Sequence, residues 1–196
     1  MNTLARIGPN AITRVAEALL PLAGDGAVRR VFARAGLAAY VDTPPQAMVD
    51  EAEVLALHAA LRAELGAGPA RQVAADAGRR TADYLLAHRI PALAQPVLRA
   101  LPAALAARLL LRAIGAHAWT FAGSGDFSAR AGHRAARLQI RHNPLCRGHR
   151  SELPACDFYT AVFQRLFTVL VHPAALVTES ACEARGDPAC AFDICW

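Results

Sequence analysis

Residues 175–195 read ALVTESACEARGDPACAFDIC and contain two apolar segments on either side of the turn-forming run Arg185-Gly186-Asp187-Pro188. Glycine, aspartate and proline favour tight turns. The sequence therefore predicts strands over about residues 175–183 and 189–195 that pair as an antiparallel hairpin. A tight connection lets Cys182 and Cys190 face one another across the two strands, so the hairpin is expected to carry two opposed thiols.

A helix leads into this hairpin. Apolar residues recur at helical spacing from Asp157 to Val171, and Pro173 ends the pattern. A cysteine stands at the N-terminal entry of the helix, where it can reach the same end of the hairpin. Thiolates and a carboxylate are ligands of Zn²⁺, and a closed tetrahedral set of four leaves no open position for a substrate. We predict one structural zinc ion with four ligands, which are Cys156, Glu179, Cys182 and Cys190.

The position of Glu179 is the difficult part of this ligand set. Residues three apart in a regular strand, such as Glu179 and Cys182, point to opposite faces. A β-bulge or an early bend is needed to bring the two together. The alternative is that the cysteines pack as small hydrophobic residues, since the chain has no C-x-x-C pair. Cys146 and Cys195 lie outside the set, are not spaced as a redox pair, and are expected to stay free.

Helical periodicity dominates the chain before residue 115, and strand patterns follow it. Apolar spacing predicts helices over about residues 12–20, 28–37, 48–65, 69–88 and 103–116. Prolines 91, 96 and 102 break the passage before the last helix, which is either a connector or a lid over a pocket. Strands are predicted over Trp119–Phe121 and, with an arginine face, over Ala136–Ile140. The fold class is α/β (α+β), with a helical extension over residues 1–20 and a single domain over 21–196.

The basic residues exclude several kinds of chemistry. All 21 are arginines, because the chain contains no lysine. This absence excludes a P-loop lysine, a Schiff-base lysine and a Tyr-Lys pair for hydride transfer. The chain also lacks the G-x-G-x-x-G fingerprint of dinucleotide-binding folds, so a self-contained nicotinamide enzyme has little support. No apolar stretch predicts a membrane span and no secretory signal is visible, so we predict a cytoplasmic protein with reduced thiols.

A basic run lies between Asp126 and Glu152, where the chain has six arginines, three histidines and no acidic residue. The run is either a solvated strand-and-loop face or a site for a small anion, because guanidinium groups bind carboxylates in a bidentate manner. It lacks the interleaved aromatic residues that stack on bases. Nucleic acid is therefore not expected as a partner.

The segment from Glu179 to Phe192, ESACEARGDPACAF, resembles the C-terminal signature of the 4-vinyl reductase domain family. The family includes sensor domains of phenol-responsive transcription activators and proteins of bacteriochlorophyll biosynthesis. In its zinc-bearing sensors the ligand order is Cys, Glu, Cys, Cys, which matches the four ligands proposed above. The resemblance covers roughly residues 21–196. No ATPase or DNA-binding module is visible, so the chain is closer to a stand-alone biosynthetic member.

The resemblance implies a fold, an assembly and a ligand. The fold has helices packed on one side of a small, mainly antiparallel sheet, is related to vesicle-tethering complex subunits, and commonly forms a homodimer. The ligand is a tetrapyrrole, such as a Mg-porphyrin or a divinyl (proto)chlorophyllide, and the partners are enzymes of bacteriochlorophyll biosynthesis. Arginines would pair with propionate carboxylates, and a neutral histidine would coordinate the central Mg²⁺. The candidate ligand-binding residues are His117, His133, Arg137, Arg141 and His142.

Three functions remain open from the sequence. The first is a non-catalytic carrier or substrate-presenting factor for the tetrapyrrole. The second is a 4-vinyl reductase that takes its reductant from a partner, and the third is a small-molecule sensor domain. Vinyl reduction needs electrons, which cofactors supply, and the chain shows no cofactor fingerprint. The carrier is therefore the leading hypothesis.

Overall fold

The computed structural model describes residues 5–196, with helices in the N-terminal part and the main sheet in the C-terminal part. The helices are α1 Asn10–Arg34, α2 Ala39–Asp42, α3 Glu51–Leu65, α4 Ala67–His88, α5 Ala94–Ala100, α6 Ala103–Ala116, α7 Trp119–Ala122 and α8 Asp157–Leu170. The strands are β1 Arg6–Ile7, β2 Val49–Asp50, β3 Asp126–Ala131, β4 Ala135–Arg141, β5 Leu176–Ala181 and β6 Cys190–Cys195. Two 3-10 turns span Pro144–Cys146 and Glu183–Arg185.

The main sheet has four antiparallel strands in the order β3-β4-β6-β5. The predicted C-terminal hairpin is confirmed as the β5–β6 pair, in which Thr178 lies opposite Asp193. The predicted half-buried strand is confirmed as β4, where Leu138 and Ile140 are fully buried and Arg137 faces outward. Alternating residues point to opposite faces of a strand, so one face of the sheet packs in the core and the other carries polar side chains.

Helix α8 covers the inner face of the sheet, as its apolar spacing predicts. The rings of Phe163 and Phe192 lie 5.2 Å apart, and Phe167 and Leu170 are completely buried. Burying side chains of this size stabilises the fold by roughly 2–3 kcal/mol each. Helix α4 then packs on α8 so closely that a Cβ atom on Gly78 would overlap the carbonyl oxygen of Phe158. The sheet, α8 and α4 therefore form successive layers.

The predicted helices over 12–20 and 28–37 are the two halves of α1. The helix bends at Gly24, whose φ of 78° is a left-handed conformation that glycine adopts readily. In its first half, Ile12, Val15 and Leu19 are buried in the same apolar core as α3 and α4. The boundary between an extension and a domain at residue 20 stays a prediction.

The predicted strand at Trp119–Phe121 is wrong, because these residues form the short helix α7. Aromatic and β-branched residues favour strands only where a pleated neighbour is available. Here the Tyr159 hydroxyl donates to the Phe121 carbonyl oxygen at 2.8 Å, and the Phe121 ring packs against Phe127 at 5.4 Å. The strand follows the glycine turn, as β3, instead of preceding it. Within residues 5–196, no helix is both long and apolar enough to cross a bilayer.

Candidate metal centre

Four cysteine side chains meet at one end of the β5–β6 hairpin. Their sulfur atoms all lie within 4.8 Å of one another and all four residues are buried. The Cys146 sulfur lies 3.3 Å from that of Cys156, 3.4 Å from that of Cys190 and 3.7 Å from that of Cys182. A disulfide requires about 2.05 Å, whereas a zinc ion with Zn–S bonds of about 2.3 Å places its sulfurs about 3.8 Å apart. The spacing fits a tetrahedral metal site.

The loop between β4 and α8 supplies the first of these thiols. Asn143 is 1% exposed, and its Oδ1 accepts a hydrogen bond from the backbone N–H of Leu145 at 3.0 Å, which starts the Pro144–Cys146 turn. The Asn143 side-chain amide also donates to the Cys156 sulfur at 3.3 Å. One buried asparagine thus shapes the turn that ends in Cys146 and contacts the neighbouring ligand.

The hairpin connection supplies two more thiols. Cys182 precedes the Glu183–Arg185 turn, and Gly186 continues it with a left-handed φ of 95°. The carboxylate of Asp187 accepts a hydrogen bond from the Cys182 N–H at 2.8 Å. This compact connection returns the chain to the sheet at Cys190, the first residue of β6.

Hydrogen-bond donors surround the sulfurs. The backbone N–H of Ala155 donates to the Cys182 sulfur and that of Glu183 to the Cys190 sulfur, both at 3.4 Å. Together with the Asn143 amide, three N–H donors point at three different sulfurs. Donors to an ionisable group favour its charged form, so the surroundings suit thiolates.

The four thiols strongly affect one another's ionisation. Hydrogen bonds with Cys146, then with other thiols, and burial raise the pKa of Cys156 well above its usual value. Hydrogen bonds from Cys146 and Cys156 lower the pKa of Cys182. Several thiolates this close repel one another in a buried site, so the thiols cannot all ionise on their own. A divalent cation removes that conflict, because it binds the thiolates directly.

Glu179 lies beside the cluster and not among the four sulfurs. The predicted irregularity exists, since the β5–β6 register shifts between Glu179 and Ala181. It brings the Glu179 Oε2 within 2.8 Å of the backbone nitrogen of Cys156, from which it accepts a hydrogen bond. The Oε1 atom is buried and has no hydrogen-bond partner within residues 5–196. Burial first, and then a hydrogen bond with Cys182, raise the pKa of Glu179 to about 9.

The structure therefore joins three of the predicted ligands and puts Cys146 in the fourth position. The prediction that Cys146 stays free is wrong, because its side chain contacts the three other thiols. Cys195 is exposed and lies outside the cluster. The Asn143-Pro144 pair was the available signal for Cys146, since it starts a turn just before the cysteine.

Two carboxylates hold the loop that carries Cys146. Glu51, at the start of α3, receives hydrogen bonds from the Arg147 guanidinium at 2.6 Å and from the Ser124 backbone N–H at 2.8 Å. Burial acts to raise the pKa of Glu51, but the bonds from Arg147 and Ser124 outweigh it and lower that pKa. The Glu183 carboxylate accepts from the backbone nitrogens of His142 and Asn143 at 2.6 and 2.8 Å. The thiol-bearing loop is thus fixed at both ends.

The predicted ligand-binding residues are exposed and do not surround one cavity. The Arg137 guanidinium pairs with Asp193 at 3.1 Å on the outer face of the sheet, where Arg141 also lies. His133 is in the β3–β4 turn and His142 follows β4, with its Nδ1 3.3 Å from Asp126. His117 follows α6, with its Nδ1 2.9 Å from the Ala113 carbonyl oxygen.

A groove of about 560 Å³ lies on the outer face of the sheet and includes Arg137. Its other charged residues are not among the predicted ligand-binding residues. Its side walls come from all three strands β4, β5 and β6 and from the end of β3. The polar and charged lining residues are Arg130, Arg137, Thr178 and Asp193.

The C-terminal part of the chain matches a known domain. The family model of the 4-vinyl reductase domain matches residues 136–195, which include the four cysteines. The Bacteriochlorophyll synthase 23 kDa chain of Cereibacter sphaeroides is 45% identical over 189 residues, which are 96% of this chain and 90% of that protein. The protein of the same name from Rhodobacter capsulatus is 41% identical over 187 residues, 95% of this chain and 85% of that protein. The chain belongs to the 4-vinyl reductase domain family.

The fold of this family member is similar to that of H-NOX proteins. An H-NOX mutant from K. algicida, in the Fe(II) unliganded state, superposes with a TM-score of 0.63 at 9% identity and covers 96% of both chains. Another H-NOX structure, from work on heme distortion, has a TM-score of 0.59 at 12% identity and covers 97% of this chain and 95% of the other. At such low identity the likeness shows the fold alone.

Proposed function

We propose that this chain is a tetrapyrrole-binding protein of bacteriochlorophyll biosynthesis that carries a Mg-porphyrin or chlorophyllide-type intermediate, or presents it to other enzymes. The observation that carries the proposal is the 45% identity, over 96% of the chain, to a protein named Bacteriochlorophyll synthase 23 kDa chain. The fold supports it, because a similar H-NOX structure comes from work on heme distortion and heme is itself a tetrapyrrole. The partners would be the enzymes that consume the intermediate.

The four-thiol cluster is proposed to hold one structural Zn²⁺, with Cys146 in place of Glu179 as the fourth ligand. The sulfur spacing, the N–H donors and the burial of all four thiols support this set. Four thiolates close the coordination shell of zinc, so the ion has no open position for catalysis. It would crosslink the loop before α8, the start of α8 and the hairpin. Its contribution is therefore to folding.

The groove on the outer sheet face is proposed to contact the carboxylate edge of the tetrapyrrole. Arg130 lines it and has no carboxylate partner within residues 5–196, whereas Arg137 is already paired with Asp193. A guanidinium is suited to a propionate carboxylate. His133 lies in the adjoining turn, where it is the closest candidate in sequence for the central Mg²⁺. Contacts by His117, Arg141 and His142 stay predictions.

An absorbance titration with Mg-protoporphyrin monomethyl ester tests this proposal. We expect saturable binding at one pigment per chain, and an Arg130→Gln variant should bind about 10-fold more weakly, since a charged hydrogen bond is worth about 1.5–3 kcal/mol. Arg30→Gln, on the exposed side of α1, is the matched control. Absence of specific binding by the wild type would overturn the function. Unchanged binding by Arg130→Gln would overturn only the groove.

The reductase hypothesis makes a different prediction. Four of the five cysteines lie in one buried cluster and the fifth, Cys195, is exposed by itself, so they offer no redox pair outside the cluster. Purified chain should therefore not reduce a divinyl substrate with any single added reductant. Turnover by this chain alone would overturn the carrier function. A phenol-type sensor would instead bind small phenols and no tetrapyrrole.

Three further expectations belong with the proposal. A homodimer should be visible by light scattering, and a cytoplasmic location by fractionation of cells. The relation of the fold to vesicle-tethering complex subunits also stays a prediction. None of the three is needed for tetrapyrrole binding.

A further inference from the structure

The surface formed by α5, α6 and the start of α7 combines exposed apolar side chains with an absence of acidic residues. Between Asp83 and Asp126 the chain has neither aspartate nor glutamate. All 16 acidic residues therefore lie outside this segment. We call its outward side the α5–α7 surface, defined by Arg89, Leu93, Val97, Leu105, Arg108, Leu109, Arg112 and Trp119.

Helix α5 is attached to the protein by polar contacts on one side only. The Gln95 side-chain amide donates to the Leu86 carbonyl oxygen at 2.6 Å, and the Arg99 guanidinium donates to the Val169 carbonyl oxygen at 3.2 Å. Leu93 and Val97, four residues apart, are 84% and 58% exposed. The helix thus uses its polar residues inward and leaves its apolar residues in solvent, the reverse of an ordinary surface helix.

Helix α6 continues the pattern. Its inner side is buried through Ala106, Ala107, Leu110 and Leu111. On its outer side Leu105 and Leu109 are each 43% exposed, and Arg108 and Arg112 lie between and beyond them. Trp119 follows at the start of α7 and is 61% exposed. Apolar side chains in such number on adjoining helices mark an interaction surface.

The arginines of this surface have no internal partners. Within residues 5–196, Arg89, Arg108 and Arg112 make no ion pair and no side-chain hydrogen bond, whereas arginines elsewhere, such as Arg71 and Arg165, are paired with aspartates. Their charges are therefore available to an anionic partner that extends over the whole surface. A second copy related by two-fold symmetry would bring this surface against itself and oppose arginine to arginine.

We propose that the α5–α7 surface binds the headgroup region of an anionic lipid bilayer. Leucine and valine side chains would enter the boundary between headgroups and acyl chains, as in interfacial amphipathic helices. Arginines keep their charge in the headgroup layer while their methylenes follow the apolar surface. The indole of Trp119 suits the same depth, where one edge is apolar and the other hydrated. This binding is peripheral and does not depend on the tetrapyrrole function.

Vesicle flotation with the full-length chain tests the proposal. We expect binding to vesicles of phosphatidylglycerol and phosphatidylcholine, weaker binding at high salt, and none to phosphatidylcholine alone, because each arginine gains about 1 kcal/mol from an anionic surface. Arg108→Gln with Arg112→Gln should weaken binding by about 25-fold, and Leu93→Ser with Val97→Ser by at least about 10-fold. The matched controls are Arg30→Gln and Leu153→Ser with Leu176→Ser, whose leucines are 59% and 58% exposed.

Fluorescence locates the contact. In a Trp196→Phe background, the Trp119 emission should shift to shorter wavelength with anionic vesicles only. All substituted residues of the surface are exposed, and circular dichroism checks that each variant is folded. The proposal is overturned if the wild type does not float with anionic vesicles, or if the surface variants bind as the controls do. Loss of a dimer in Leu93→Ser with Val97→Ser, without vesicle binding by the wild type, would assign the surface to a second copy instead.

Discussion

The Sγ atoms of Cys146 and Cys156 lie 3.3 Å apart, although the two residues are ten positions apart in sequence. This contact joins the loop after β4 to the start of α8, and the same sulfurs meet those of Cys182 and Cys190 from the hairpin. Three segments of the 4-vinyl reductase domain therefore converge on one buried cluster. A cation in that cluster would hold them together.

Metal retention should depend on Cys146 and not on Glu179. Cys146→Ser is expected to lose the metal and to lower the free energy of unfolding by several kcal/mol, because a structural zinc site contributes directly to folding. Glu179→Gln keeps the hydrogen bond to the Cys156 nitrogen and should retain the metal. Cys195→Ser, at the exposed cysteine, is the control. Metal loss in Glu179→Gln with retention in Cys146→Ser would reverse the assignment.

The close packing of α4 on α8 should make Gly78 intolerant of a side chain. A Cβ atom there would overlap the Phe158 carbonyl oxygen and touch the Ala161 side chain at 3.0 Å. Gly78→Ala should lower the free energy of unfolding by about 1–3 kcal/mol, the usual cost of overpacking. Gly68→Ala, in the same helix with open space around it, should be neutral or stabilising. Equal chemical denaturation curves for the two variants would refute the tight contact.

The Glu51–Arg147 ion pair should stabilise the protein above acidic pH. Glu51 is 8% exposed, so Glu51→Gln is expected to lower the free energy of unfolding by about 2 kcal/mol at pH 7. Its pKa is lower in the folded state, so the contribution is complete above the unfolded value of about 4.3 and is lost as pH falls through the folded value. Glu17→Gln removes an exposed pair with Arg14 and should cost below about 1 kcal/mol. Equal effects of both variants would contradict the role of burial.

His58 should destabilise the protein in weak acid. Burial, with a smaller effect of Arg62, lowers the pKa of His58 to about 3, and its Nε2 has no hydrogen-bond partner within residues 5–196. The unfolded histidine takes up a proton below about pH 6.5 and the folded one does not, so stability falls as pH drops from about 6.5 toward 3. His58→Leu should match the wild type at pH 7 within about 1 kcal/mol and exceed it by about 2 kcal/mol at pH 5. Parallel stability curves for the two proteins between pH 7 and 5 would contradict this.

Local patterns predicted the elements that position the candidate site. The period of the apolar residues predicted α8 and β4, and the turn residues predicted the β5–β6 connection. The awkward spacing of Glu179 and Cys182 even indicated the bulge that the structure contains. These features depend on residues close in sequence, so a single sequence carries the information.

The features that sequence reasoning missed depend on tertiary contacts. Trp119–Phe121 has strand propensity but folds as α7, because Phe121 packs on Phe127 and Tyr159. Cys146 lies in a loop without periodicity, and only the three-dimensional fold shows that its sulfur reaches those of the hairpin. The bulge brings Glu179 to the backbone of Cys156 and leaves the fourth sulfur position to Cys146.

X-ray absorption at the zinc edge, with elemental analysis of protein purified without added metal, tests the four-thiol centre most directly. We predict about one zinc ion per chain in a shell of four sulfurs at about 2.3 Å. A shell of three sulfurs and one oxygen would restore Glu179 as the ligand. A stable, folded protein without metal would contradict the metal centre itself.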